Sequence, residues 1–360
     1  MLLMSCGSDG PRGALCDEEY DRSDVLTCDA APELCEVTVE SSVRNEDFEL
    51  AYDLVFVADG FADASAFHAR VDRLVTRTFE DPRGIVTRAP DLFNVHRVWA
   101  PAARGNARAF GACLRENELD GTLLIDADDA RVDLAANQAP DVDVVVFLSD
   151  ALRGRANASF PSPRAFVRMD ADHGASVLTH ELGHALFMLG DEYVDVPDPH
   201  PRSGGQGLVR PNVSLSADEA WNGLVSRARE GAERHGQGAY RPTNRCRMRN
   251  AYGNEPFCPV CSAHIDAWIA HRKGERSVNP VCHPHPSGEE TELICWAPAG
   301  LVEYQAPVPD GFPPSFPISF DTCEGCAAPQ FAVITLDASI MGGELVVRDA
   351  AGNTASVRLE

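Results

Sequence analysis

The chain has 360 residues and carries 31 Lys and Arg against 55 Asp and Glu, a formal net charge of −24. That length accommodates one large domain plus a small module, while the charge argues against nucleic acid or a strongly anionic surface as partner. No apolar run reaches the roughly 18 residues of a membrane helix, and the basic side chains are almost all arginine, Lys273 being the single lysine, which reads as coding bias, while the acidity also fits halophilic adaptation. In chain order, residues 7–45 carry Cys16, Cys28 and Cys35 with little periodicity and read as a disulfide-pinned tether. A largely apolar strand is predicted over Tyr52–Ala58, ended by the turn pair Asp59-Gly60. Phe67, Val71, Leu74, Val75 and Phe79 then recur at helical spacing between Ala62 and Glu80, closed by Asp81-Pro82. Further strands are predicted at Phe93–Trp99 and Val142–Leu148.

His180-Glu181-Leu182-Gly183-His184 follows. Two histidines four apart rise from one helix face, within reach of one ion, with a carboxylate beside them. Zinc hydrolysis needs that arrangement: neutral imidazoles hold the metal, and the carboxylate takes a proton from the attacking water. Gly190 is the residue expected just past the helix end, where positive φ is needed. Asp191, where the chain turns back, can complete the histidines and leave a fourth position open. Glu192 is the competing ligand at this point, and Glu219 or Glu230 on a distant helix is the gluzincin alternative. His173, seven before His180, reads as a polar residue at the helix entrance.

Pro and Gly are frequent between Tyr193 and Tyr240, and a helix is predicted over Ala217–Arg234 at the rim of a cleft. Cys246, Cys258, Cys261 and His264 have the residue types of a structural zinc site, but in an exported protein a disulfide from Cys246 to Cys258 or Cys261 is the expectation. His264 opens a predicted helix, Ile265–Ala270. Beyond Ser277, strands are predicted at Phe331–Leu336, Glu344–Arg348 and Thr354–Leu359, the last two forming a hairpin, with Cys282, Cys295, Cys323 and Cys326 available as staples. The start, Met1 to Cys6, resembles the tail of a bacterial lipoprotein signal with too short an apolar core; it is either truncated or accidental, and Cys6 is the candidate lipid anchor. Twelve cysteines favour export.

The run from His180 to Tyr193, with its terminal Asp191-Glu192-Tyr193, resembles the metal-binding helix of the immunoglobulin A peptidase family, metzincin-like secreted zinc metallopeptidases. Residues 53–61, 92–98, 238–242, 246–249 and 257–261 resemble that family too, so the likeness runs from about residue 50 to 270. It implies an α/β (α+β) fold with a mixed twisted sheet and an active-site helix. It also places a methionine turn at Met248 beneath the zinc ligands, as support rather than ligation. The broader metzincin pattern puts its third ligand ten residues after the first histidine and a glycine seven after; here those positions hold Gly190 and Phe187, so the turn to Asp191 is built differently. By analogy an edge strand pairs with substrate, here Val142–Leu148 or the segment just after it. The C-terminal tail resembles the closing hairpin of bacterial immunoglobulin-like modules.

The predicted organisation is a tether over 1–45, a metallopeptidase domain over 46–276 and a Cys/Pro-rich linker with a β module over 277–360. The expected function is an exported or surface-anchored zinc endopeptidase acting on a protein or peptide. One catalytic Zn²⁺ sits on His180, His184 and Asp191, Glu181 is the base, Tyr252 steadies the oxyanion, and Glu192 and Tyr193 lie in support. The alternative is a non-catalytic extracellular binding protein that keeps the fold. Glu181 separates the two, because a binding protein needs no base beside the metal.

Overall fold

The computed structural model describes residues 16, 26–48, 50–105, 109–117, 121–159, 165–194, 210–221, 223–287, 290–298, 301–305, 318–319, 331–336 and 344–358. Eight consecutive buried residues, Tyr52–Asp59, form a central strand covered on both faces. Numbered along the chain, the first elements are β1 (Thr38–Ser42), β2 (Tyr52–Asp59), α1 (Ala64–Glu80), β3 (Phe93–Trp99), β4 (Cys113–Glu116), β5 (Leu123–Asp126) and α2 (Asp129–Ala136). They are followed by β6 (Val144–Ser149), β7 (Asn157–Ala158), β8 (Ala165–Asp170), α3 (Ala175–Phe187), β9 (Arg229–Ala232), β10 (His235–Arg241) and α4 (Pro259–Arg272). The main sheet is mixed, in the order β1-β3-β2-β6-β8-β7. Its four inner strands are parallel and its two edges antiparallel.

Alternation along the inner strands divides the core in two, because successive side chains of a strand face opposite ways. Leu54, Phe56, Val144 and Val146 pack on one face with Phe67 and Leu74 of α1, Leu182 of α3 and Trp268 of α4. Val55, Val57, Val145 and Phe147 pack on the other with Val132 and Ala135 of α2 and Leu34. Helix α1 begins where the Asp63 side chain accepts from the Ala66 amide at 2.8 Å, and it buries Phe67, Val71, Leu74 and Thr78 along one stripe.

Several expectations change. The stretch read as a tether is partly built into the fold: Leu34 is buried, β1 pairs with β3, Cys28 bonds to Cys35, and Cys16 bonds to Cys113. Strand β6 lies between β2 and β8, so it is no edge; the edge is β7, in the segment just after it. Among its described residues, the stretch Ala217–Arg234 forms no helix. Its described residues are turns and then β9, paired to β10, with Trp221, Glu233 and Arg234 at positive φ. Helix α4 begins at Pro259, capped by Cys258, rather than at Ile265. Sequence reading missed β8, the β4–β5 hairpin and α2.

The C-terminal strands are β11 (Val281–Ser287), β12 (Glu290–Trp296), β13 (Leu301–Gln305), β14 (Ile318–Ser319), β15 (Phe331–Leu336), β16 (Glu344–Asp349) and β17 (Thr354–Arg358). They form one sheet of three strands and one of four, with Cys282 bonded to Cys295 across β11 and β12. Cys6, Cys323 and Cys326 lie outside the described residues. No helix among the described residues is long and apolar enough to cross a membrane.

Candidate metal centre

Helix α3 is buried on almost every side, from Val177 to Phe187, and it projects His180 and His184 toward each other, Nε2 to Nε2 at 3.2 Å. The helix ends with Met188 in the left-handed region, φ 53°, its amide bonded to the His184 carbonyl at 3.0 Å and the Leu189 amide to Gly183 at 3.1 Å. The positive φ expected at Gly190 is therefore taken by Met188. Gly190 is glycine for want of room, since a Cβ there would stand 2.1 Å from Glu233 Oε1 and 2.7 Å from Arg210 Cγ. With the cap at Met188, Asp191 stands three residues past it instead of one, and the chain swings it back to the histidines. Its Oδ1 lies 3.2 Å from Nε2 of each histidine.

Backbone carbonyls fix both imidazole tautomers. His180 Nδ1 donates to the Arg247 carbonyl at 3.0 Å and His184 Nδ1 to the Leu189 carbonyl at 2.5 Å. A carbonyl can only accept, so each Nδ1 carries a proton, which leaves each Nε2 facing the other ring and able to offer its lone pair to a metal once the ring is neutral. The two Nε2 atoms and the buried Asp191 Oδ1 converge where a proton or a metal ion must sit between them. Donor atoms each roughly 2.1 Å from one tetrahedral zinc are about 3.4 Å apart, which the observed 3.2 Å spacings nearly match. The residues fit a metal ion. Without one, burial lowers the His184 pKa but Asp191 outweighs it and lifts it to about 9, and against its own burial the Asp191 carboxyl is held well below the usual range by the charged imidazole.

Glu181 belongs to the same group, its carboxylate within 4.8 Å of the histidine nitrogens. Burial pushes its carboxyl above the ordinary glutamate value, against the pull of His180 and His184. A cavity of 610 Å³ opens over these residues, lined also by Arg155, Tyr193, Glu233 and Tyr252. Tyr252 is 70 % exposed on its rim. Asn157 and Ala158 of the edge strand β7 line it as well. The Tyr193 ring stacks on His180, centroids 6.4 Å apart, and its hydroxyl accepts from Arg155.

Met248 is fully buried, and a Cβ on Gly183 would come within 2.7 Å of its sulfur. The glycine thus lets the thioether close up against the helix between the two histidines. Glu192 points away from this group, although its amide donates to the Met248 carbonyl at 2.9 Å. Its carboxylate lies with Cys246, Cys258 and Cys261, all ligand atoms within 4.8 Å of one another. Those cysteines are thiols, so the expected disulfide from Cys246 to Cys258 or Cys261 does not form. His264 is not with them; its Nε2 donates to the Phe187 carbonyl at 3.0 Å. Glu219 and Glu230 accept from the amides of Trp221 and Gly238 instead of approaching the histidines. His173 faces Asp170.

Asn212, Glu233 and Arg247 were not singled out from the sequence. Asn212 brackets Gly190, accepting from its amide at 2.6 Å and donating to its carbonyl at 3.0 Å, and also donates to Glu192 Oε1 at 3.0 Å. Glu233 accepts from the Asp191 amide at 2.9 Å. Arg247, fully buried, is anchored by Asp81 at 2.8 Å and so fixes the carbonyl that orients His180. No short-range spacing marks any of them.

No family model and no curated protein matches this chain. Among solved structures, the chain is similar to wild-type OgpA from Akkermansia muciniphila at 12 % identity and a TM-score of 0.30, over 94 % of each chain. A likeness of that size carries no argument about chemistry.

Proposed function

We propose that this chain is a zinc-dependent endopeptidase. The observation that carries the reading is a buried carboxylate, Glu181, set beside three converging donors at the floor of an open 610 Å³ cavity. His180, His184 and Asp191 would hold the ion, which when bound supplies Lewis acidity toward the scissile carbonyl and the attacking water. Glu181 receives the proton of that water on its carboxylate and returns it to the leaving amine; its raised proton affinity suits a base that must also act as an acid. Tyr252, on the cavity rim, donates to the developing oxyanion. Strand β7 offers an extended peptide a free sheet edge beside the donors.

The same proposal gives the catalytic domain residues 46–276 together with β1 and the disulfide-held segment before it, sets the β module at 277–360, and keeps the likeness to the immunoglobulin A peptidase family. Three disulfides fit an extracellular or periplasmic compartment; anchoring through Cys6 completes the localisation proposed. Metal analysis paired with a peptide-library digest of wild type and Glu181→Gln tests it. The variant should keep its zinc and lose roughly 10²–10⁴-fold in kcat, the usual worth of a general base. Wild-type cleavage by the variant would overturn the mechanism, and absence of any cleavage by zinc-loaded wild type the function.

A further inference from the structure

We propose that Glu192, Cys246, Cys258 and Cys261 form a second, closed zinc site whose task is structural. The sulfurs of Cys246 and Cys261 are 3.7 Å apart, and those of Cys258 and Cys261 are 3.5 Å apart. Glu192 Oε1 stands 3.6 Å from the Cys258 sulfur and 3.3 Å from that of Cys261. Two sulfurs each roughly 2.3 Å from one tetrahedral zinc are about 3.8 Å apart, and a sulfur and a carboxylate oxygen about 3.6 Å. The four groups already lie close to that polyhedron.

Three further observations point to an ion. Glu192 is fully buried, and its Oε2 has no hydrogen-bond partner, which is a costly arrangement for a carboxylate among weakly donating thiols. The backbone presents amides to the sulfurs: Cys258 N–H points at the Cys246 sulfur at 3.2 Å and Cys261 N–H at the Cys258 sulfur at 3.5 Å. Cys258 also caps the N-terminus of the fourteen-residue α4, where the helix dipole favours a thiolate. Finally, the six other described cysteines are all paired, and these three alone remain thiols. Thiols survive in an oxidising compartment when a metal holds them.

All four protein ligands are supplied and buried, so no position is left for water or substrate, the mark of a structural site. Binding releases the thiol protons. The ion ties the Asp191-Glu192 segment to the turn at Met248 and to the start of α4, and so braces the wall of the cleft from behind. The site does not depend on the peptidase reading.

The test uses the full chain, exported, purified without chelator and analysed by metal mass spectrometry, thiol titration and disulfide mapping. Wild type should hold two zinc ions per chain, and His180→Ala/His184→Ala one. That remaining ion should be released by a mercurial thiol reagent, and cobalt in its place should show thiolate-to-metal charge transfer. If the double variant is insoluble, Asp191→Ala under the same cobalt assay replaces it. No metal left in soluble double variant, iron in place of zinc, or a disulfide between any two of Cys246, Cys258 and Cys261 in the zinc-loaded protein would overturn the proposal. A missing peptidase activity with two zinc ions present would leave it standing and count against the enzyme alone.

Discussion

Asn212→Ala is the change that asks most of the proposed architecture. Asn212 is fully buried and touches neither histidine, yet its amide closes both ends of the Gly190 peptide and also donates to Glu192. Truncation removes three hydrogen bonds and strands a buried N–H and a buried C=O where no side chain can replace the partner. Each lost bond is worth about 1 kcal/mol and each stranded group about 1–3 kcal/mol, partly overlapping, so the total is about 2–5 kcal/mol. At roughly 2–4 °C per kcal/mol for a domain of this size, the melting temperature should fall by about 5–20 °C. Because Gly190 carries the chain to Asp191, zinc held at the histidines should also weaken, by the ~10–100-fold typical of groups that orient a ligand. Differential scanning calorimetry with and without zinc, and competition with a chromophoric chelator, read the two effects separately. A variant that melts and binds zinc like wild type would refute the view that this clamp sets the ligand's position.

Asp191→Ala should weaken zinc at the histidines far more than Glu192→Ala in the same chelator competition, whereas Glu192→Ala should cost the ion at the cysteines. Gly190→Ala should destabilise by about 1–3 kcal/mol, because the added methyl meets Glu233 and the Arg210 stem with no space to yield, and a urea melt would measure it. Asp59, buried and hydrogen-bonded to Ser149 at 2.7 Å, has its carboxyl pushed by desolvation from 3.8 up to about 6. The folded chain thus holds a proton that the unfolded chain releases, so this contribution is full below about pH 4 and lost as pH rises through 6. Asp59→Asn should remove that slope, gaining roughly 3 kcal/mol relative to wild type between pH 4 and 7; parallel stability curves would contradict it.

Where a signal is local, it was readable. The strands at Tyr52 and Phe93 and the helix up to Glu80 lie within a residue or two of their expected bounds, because a period of two or 3.6 is written in neighbouring side chains. His180, Glu181 and His184 share one helical turn for the same reason. The segment from Ala217 to Arg234 has a helical composition, but positive φ at Glu233 and Arg234 and pairing of β9 to β10 override it. Strand β8 escaped because Arg168 and Asp170 interrupt its apolar run, although both are buried. The cysteines posed a harder problem. Cys-x-x-Cys plus a third thiol suits a metal knot or a disulfide, export tipped the reading to a disulfide that does not form, and Glu192 joins the three thiols only through the fold.

The peptide unit between Asp191 and Glu192 acts as a ruler. Consecutive α-carbons across a trans peptide stand about 3.8 Å apart, and here the two side chains leave the backbone toward different polar centres, one facing the open cavity and one sealed behind it. The chain cannot widen that gap without inserting a residue, nor can solvent enter it, since Glu192 is wholly buried. The charges that act on the Glu181 carboxyl all stand on the open side, at His180, His184, Asp191 and Arg155, so what the two centres share is position rather than potential: a shift of one drags the other.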